Sequence, residues 1–295
     1  MTKGSCDEYL ENRVRELFGS DARVVERHGL GGGCINNAEE YSLSGGDKLF
    51  VKRNRSSRGG LFAAEAAGLN ALTVNEAPRV PRVLGHFDDG TDQILVLEFI
   101  VSAARARDFW QTFGRQMAAL HRVSSKNGFG FDEDNHIGAT EQKNSWMPSW
   151  LEFFAQQRIG FQLQLARDQG LLDAAGTARC ERFIADLSDI LIEPEAPSLL
   201  HGDLWGGNYM VGDAGEPVLI DPAVYYGHRE ADLAMTELFG GFDPSFHAAY
   251  NEVFPLEPGY RQRRDAYNLY HMLNHLNLFG GSYAGSVKAI LQRYT

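Results

Sequence analysis

The sequence has little cysteine and a deficit of positive charge. Its three cysteines, Cys6, Cys34 and Cys180, are spread over 295 residues. None stands at CxxC spacing, so neither a disulfide framework nor a thiolate zinc site is indicated, and a reducing cytoplasm is the expected compartment. Lys and Arg number 28 against 39 Asp and Glu, a formal net charge of −11. That balance argues against broad attraction to nucleic-acid phosphates or to an anionic membrane, so an anionic ligand must be held locally. The N-terminus, MTKGSCDEYLENRVREL, lacks the apolar core of a signal peptide. No segment approaches the ~18 uninterrupted apolar residues of a membrane span. There is also no GxxxxGK[ST] loop, no internal repeat and no low-complexity segment.

Hydrophobic residues make up 43% and charged residues 23%, a composition that argues against disorder and for ordinary globular packing. At 295 residues the chain accommodates two lobes. Leu10, Val14, Leu17 and Phe18 recur at helical spacing behind Asp7 and Glu8, which predicts a short opening helix. Next, RVVERHGLGGGCINNAEEYSLSGGDKLFVKRN alternates apolar and polar residues around two glycine-rich breaks, as antiparallel strands do. GGLFAAEAAGLNALT predicts a helix with Leu61, Leu69 and Leu72 on one stripe and Glu65 on the same stripe. PRVLGHFDDGTDQILVLEFI adds two strands. From about Arg105 the patterns turn mostly helical, interrupted by two short strands in NYMVGDAGEPVLIDPA.

Several polar residues fall where chemistry is expected. Gly31, Gly32 and Gly33 lie between two predicted strands, where backbone N–H groups can approach phosphate; the run lacks the dinucleotide GxGxxG spacing. Lys52 lies on the strand KLFVKRN, and a carboxylate on the apolar stripe of the following helix, Glu65, needs a cation, for which Lys52 is the nearest candidate. His201-Gly202-Asp203 followed by Asn208 reads HxDxxxxN, and Asp221 follows Asp203 by 18 residues at the end of a short strand. One carboxylate to take a hydroxyl proton, with an amide and a second carboxylate to hold Mg²⁺, is the set that phosphoryl transfer requires. Trp205 has two readings, an anchor for its loop or a stacking face for a sugar. Asp232 sits among Leu233, Ala234 and Met235 and is expected to accept hydrogen bonds from a nearby backbone loop. Cys34 reads as a small buried hydrophobe, with a redox-sensitive thiol as the alternative. His271 and His275, one helical turn apart without a third ligand, read as a polar helix face at a cleft mouth.

Taken in order, the glycine loop, FVK, the helical glutamate, LVLEF, HGDxxxxN and IDP resemble the protein-kinase-like fold, in the branch that includes aminoglycoside phosphotransferases and choline kinases. More narrowly, GGGCINNA, LLHGDLWGGN, DPAVYYGHREADLAMTELFGGF and NHLNLFGGSY resemble the fructosamine kinase (ketosamine 3-kinase) family over nearly the whole chain. The resemblance implies an α+β, two-lobed fold: residues 1–100 a nucleotide-binding lobe with an antiparallel sheet and one helix, and residues 101–295 a mainly helical catalytic and substrate lobe. It implies ATP and Mg²⁺, with Asp203 as base toward a sugar hydroxyl, Asn208 and Asp221 as metal ligands, and Lys52, paired with Glu65, on the α/β-phosphates. Gly31 to Gly33 would cover those phosphates. Adenine would rest against Glu98, Phe99 and Ile100, above Met210 and beside Ile220. Trp205, Tyr226, His228 and His275 stand as the expected acceptor contacts.

The implied substrate is a small-molecule or protein-bound ketosamine, phosphorylated on the sugar 3-hydroxyl so that it decomposes and frees the amine. HGD and Asp-Pro stand where protein kinases carry HRD and Asp-Phe-Gly, so activation-loop switching is not expected. Two competing readings are a kinase of the same fold acting on another alcohol, and a nucleotide-binding pseudokinase. The first leaves YGHREADLAMTELFGGF unexplained; the second predicts a missing phosphoryl-transfer residue, and none is missing. The sequence leaves the oligomeric state open.

Overall fold

A computed structural model of the chain describes residues 5–31, 37–55 and 59–295. Gly32, Gly33 and Cys34 lie outside the described residues. Helix α1 (Cys6–Phe18) starts on Ser5, whose hydroxyl accepts the Glu8 N–H at 3.2 Å, with Asp7 and Glu8 in the first turn as the helix dipole favours. Five antiparallel strands follow: β1 (Val24–Leu30), β2 (Asn37–Leu43), β3 (Lys48–Arg55), β4 (Val83–Asp88) and β5 (Asp92–Glu98), ordered β1-β2-β3-β5-β4. Helix α2 (Leu61–Leu72) is inserted after β3. These elements match the sequence expectation.

Alternation along β3 sets the chemistry of each face. Leu49 and Val51 join Ile94 and Val96 against Leu10 and Val14 of α1. Phe50 and Lys52 therefore face the opposite side, toward α2. On α2 the predicted stripe, Leu61, Leu69 and Leu72, is buried. It merges with Leu95 and Leu97 of the sheet and with Phe113, Leu204, Leu219 and Val224 from later in the chain, so one apolar cluster spans both lobes.

Beyond the sheet come α3 (Phe109–His121), the short pair β6 (Asn135–Ile137) and β7 (Thr140–Gln142), then α4 (Trp150–Phe153), a π-helical turn (Phe154–Gly160) and α5 (Phe161–Asp168). The sequence pattern reads as one helix across α4 to α5; the structure differs because Arg158 is drawn inward. Its guanidinium donates to Asn144 Oδ1 at 2.8 Å and lies 4.0 Å from the Tyr225 ring centre, and the wider π turn accommodates that reach. Helices α6 (Ala174–Ala185) and α7 (Leu187–Ile190) also divide a segment that reads as one helix.

Three further strand pieces, β8 (Ser198–Leu200), β9 (Tyr209–Val211) and β10 (Pro217–Leu219), lead to β11 (Tyr225–Gly227), with β8 pairing β11 and β9 pairing β10. The chain closes with α8 (Glu230–Leu238), α9 (Pro244–Val253), α10 (Tyr260–Phe279) and α11 (Ala284–Tyr294). Helix α9 was not anticipated from periodicity; Asp243 caps it with Pro244 in its first turn, and it packs closely on α3. Gly114 permits that approach, since a Cβ there would lie 2.2 Å from the Phe246 carbonyl oxygen. No helix among the described residues is long and apolar enough to cross a membrane.

Because backbone on both helices leaves no room for a methyl group, Gly114→Ala is expected to destabilise the fold by about 1–3 kcal/mol. Chemical denaturation at constant m-value measures it; an unchanged midpoint would show that α3 and α9 part freely.

Candidate active site

The segment from His201 to Asn208 is held from below by one carboxylate. Asp232, 2% exposed on α8, accepts the backbone N–H of His201 at 2.7 Å and of Gly202 at 2.9 Å. Its Oδ2 also lies 3.2 Å from His121 Nε2, whose Nδ1 is 2.9 Å from the Tyr250 hydroxyl. Burial pushes the Asp232 carboxyl upward, but the hydrogen bonds from His121 and the loop outweigh it and keep it below its ordinary value. The anticipated supporting role of Asp232 is thus what the geometry displays.

The HGD loop and the Asp221 loop are pressed together. His201 Nε2 donates to the Ile220 carbonyl at 3.0 Å, the Ala223 N–H donates to the His201 carbonyl at 2.9 Å, and the Ile220 N–H donates to the Asn208 carbonyl at 3.0 Å. Gly202 sits at φ +84°, and a Cβ there would fall 1.9 Å from the Ala223 carbonyl oxygen, so only glycine fits between the loops. Asp221 itself has φ +53°, left-handed and without glycine's freedom, a conformation held by these contacts. Helix α2 braces the same loop, with Gly68 packed against Val224 and Pro222.

Five of the predicted groups meet here, Lys52, Glu65, Asp203, Asn208 and Asp221. Lys52 Nζ donates to Glu65 Oε1 at 2.6 Å and also to Asp221 Oδ1. Burial pushes the Lys52 ammonium down, but the two carboxylates outweigh it and hold it charged. The Asn208 amide N–H₂ donates to Asp203 Oδ2 at 2.8 Å and to the Asp203 carbonyl at 2.9 Å. With its nitrogen so used, Asn208 retains its carbonyl oxygen as a ligand, and the Asp221 side chain is 51% exposed. Two hard oxygens are a suitable protein share for Mg²⁺, which keeps its remaining positions for phosphate and water. No cluster of three His, Cys, Asp or Glu that could form an all-protein cage exists among the described residues.

Burial raises the Asp203 carboxyl to about 7, with Asp221 and Asp232 adding to the rise and the Asn208 hydrogen bond opposing it. A carboxylate so placed is poised to exchange a proton near neutral pH.

An apolar cleft opens beside these groups, lined by Glu98, Phe99 and Ile100 of the inter-lobe segment and by Met210 and Ile220. Lys52, Glu65 and Asp221 also line it, together with Leu30, Phe50, Leu69, Leu97 and Pro81. The Glu98 carboxylate faces Arg79, at 2.5 Å, and the Arg82 N–H, at 3.1 Å. Arg79 was missed in the sequence. It also donates to Asp213 and Glu216 of the β9–β10 turn at 2.6 and 2.7 Å, tying the inter-lobe segment to the second lobe. Only the long sequence separation, 137 residues to Glu216, hid it.

The expected acceptor contacts separate into three places. Trp205 is 38% exposed, its ring over Gly207 and edge-on to Phe239 at 6.1 Å. His275 lies beyond, between Phe239, Phe279 and Tyr283, and donates from Nδ1 to the His271 carbonyl at 2.8 Å. Trp205 and His275 thus belong to one partly exposed aromatic row. Tyr226 lies on β11 against the Trp146 ring. His228 is not brought to the cleft: it is 2% exposed, its Nδ1 lies 2.6 Å from the Tyr267 hydroxyl, and Trp150 packs on it. Burial pushes its ring down to about 3, as befits a neutral core histidine.

An antiparallel sheet over a helical lobe, a buried lysine–glutamate pair and an HGD loop facing a carboxylate loop define a kinase of the protein-kinase-like fold. The same fold occurs in aminoglycoside phosphotransferase APH(4)-Ia, solved as a ternary complex with ADP and hygromycin B, at 16% identity and TM-score 0.66 over 99% of both chains. The Fructosamine kinase family profile matches residues 7–295. A probable ketoamine kinase of Synechocystis is 42% identical over 96% of this chain and 95% of its own. The chloroplastic protein-ribulosamine 3-kinase of Arabidopsis thaliana is 40% identical over 96% and 88%. A putative fructosamine-3-kinase of Haemophilus somnus superposes with TM-score 0.88 at 30% identity, covering 97% of each chain. The chain belongs to the fructosamine kinase family.

The raised Asp203 carboxyl makes a signed prediction. Its folded value, about 7, exceeds the ordinary carboxylate range, so the folded state binds this proton more tightly than the unfolded chain. The penalty for ionising it is absent below about pH 4 and complete above about pH 7. Asp203→Asn is expected to abolish turnover while raising Tm by a few degrees at pH 8, the advantage shrinking toward pH 5. Thermal melts across that range decide; an advantage that is constant or larger at pH 5 would contradict the assignment.

Proposed function

We propose that this protein is an ATP-dependent kinase that phosphorylates the sugar 3-hydroxyl of ketosamines, fructosamines and ribulosamines, carried by a small molecule or a protein. The observation that carries the reading is the convergence of Asp203, Asn208, Asp221 and Lys52, of which Lys52 and Asp221 line an apolar cleft, in a chain of the fructosamine kinase family. The names of the relatives support the acceptor class.

In this reading residues 1–100 bind nucleotide and residues 101–295 supply catalysis and the acceptor site. Adenine rests against Glu98 to Ile100, above Met210 and beside Ile220, all of which line the cleft. Lys52, kept charged and aimed by Glu65, meets the α/β-phosphates, and Gly31 begins the loop that covers them. Asn208 and Asp221 hold Mg²⁺, which when bound neutralises charge on the transferring phosphates. Asp203 accepts the proton of the sugar 3-hydroxyl as its oxygen bonds to the γ-phosphorus; the bond to the β-phosphate oxygen breaks and ADP leaves. The ketosamine 3-phosphate then decomposes and frees the amine, a deglycation. Cys6 and Cys180 are free thiols, which suits a cytoplasmic site of action.

Incubation with ATP, Mg²⁺ and ribulose- or fructose-lysine is expected to release ADP, and Asp203→Ala to lower kcat by about 10³-fold or more. A coupled ADP assay over a panel of ketosamines, aminoglycosides and choline is the test. Turnover of a non-glycated alcohol with none on ketosamines would replace this acceptor class, and turnover unaffected by the substitution would remove Asp203 from the mechanism.

A further inference from the structure

His271, on α10, is 4% exposed and lies against the Asp203 loop. Its Nδ1 is buried and has no hydrogen-bond partner among the described residues, although 3.9 Å away stands Asp203 Oδ1. That separation exceeds a direct hydrogen bond but matches two groups that grip a ligand between them. A buried polar nitrogen left without a partner is costly, a penalty that persists at functional sites where a ligand completes it. Neighbouring His275 donates its own Nδ1 proton to the His271 carbonyl, so it does not compete for the His271 ring. Burial, reinforced by His275, keeps the ring neutral, with a pKa pushed down to about 3, so it offers one N–H and one lone pair rather than a second charge beside Asp203.

An ionised Asp203 only accepts, so the group it meets must donate: the hydroxyl about to be phosphorylated. In a ketosamine the carbon next to that 3-hydroxyl carries another oxygen, roughly one hydrogen-bond length from the first. We propose that His271 Nδ1–H donates to this C2 oxygen while Asp203 takes the 3-hydroxyl proton, so that His271 positions the acceptor and selects sugars with oxygen at C2. The assignment rests on the ketosamine reading given above and adds a specificity determinant to it. It also gives His271 a role different from that of His275, whose ring belongs to the aromatic row.

The test compares His271→Leu, which removes the donor, with His271→Asn, whose amide N–H₂ occupies the place of Nδ1. Two acceptors are used, fructose-lysine and an analogue with a methylene group at C2. His271→Leu is expected to lose about tenfold in kcat/KM on fructose-lysine, as one hydrogen bond is worth, with KM for ATP unchanged. His271→Asn is expected to recover most of that loss. On the C2-methylene analogue, wild type is expected to be about tenfold poorer than on fructose-lysine, and His271→Leu to cause no further loss.

The proposal is overturned if His271→Leu equals wild type on fructose-lysine, if His271→Asn falls as far as Leu, or if Leu loses equally on both acceptors. Should the leucine variant not fold, the wild-type comparison alone decides: equal rates on the two acceptors overturn it. If wild type turns over no ketosamine at all, the functional reading and this inference fall together. If ketosamines are substrates and the C2 oxygen is irrelevant, only the inference falls.

Discussion

The Asp232 carboxylate holds the active loop in shape. By accepting the N–H groups of His201 and Gly202 it fixes the backbone from which Asp203 projects, and through His121 and Tyr250 it anchors that backbone to α3 and α9. A buried charge is tolerable only with its acceptor capacity filled, and here two backbone amides and an imidazole fill it. Gly202 then passes so close to Ala223 that the HGD loop and the Asp221 loop are packed as one unit. Asp203, Asn208 and Asp221 are consequently pre-set relative to each other before any nucleotide arrives.

Lys52 extends this unit to the first lobe. It reaches 169 residues along the chain to Asp221 while Glu65 neutralises it from α2, so the sheet, the inserted helix and the Asp221 loop share one ion cluster. A three-membered arrangement of this kind stabilises less than its Coulomb attraction suggests, because its members lose water. Its contribution is positional. Arg79 acts in parallel at the opposite end of the cleft, where Glu98, Asp213 and Glu216 gather around one guanidinium.

Most of the first lobe was legible in the sequence because its signals are local. Alternation in β3 put Lys52 on the face opposite α1, and the stripe of Leu61, Leu69 and Leu72 carried Glu65 toward the same side. The HxDxxxxN spacing places Asp203 and Asn208 on one loop, where a side chain reaches its neighbour's carboxylate over a few residues. The π turn at Phe154–Gly160 escaped because its cause is tertiary, a buried arginine seeking Asn144, whereas α9 carries a local start signal, Asp243 followed by Pro244, that apolar periodicity does not register. His228 shows the opposite failure, a polar residue in a functional-looking segment that the fold uses to satisfy Tyr267 in the core.

The sequence by itself determined which side chains were available for chemistry and in which order, since motif spacing and periodicity are properties of a few consecutive residues. Only the tertiary structure decided which of them meet. It set Asp221 in a left-handed conformation against Lys52, placed Trp205 between the Asp203 carboxyl and Phe239, and brought the unpartnered nitrogen of His271 to face Asp203. Those placements depend on the packing of elements far apart in the chain, where shape complementarity, rather than local spacing, chooses the neighbour.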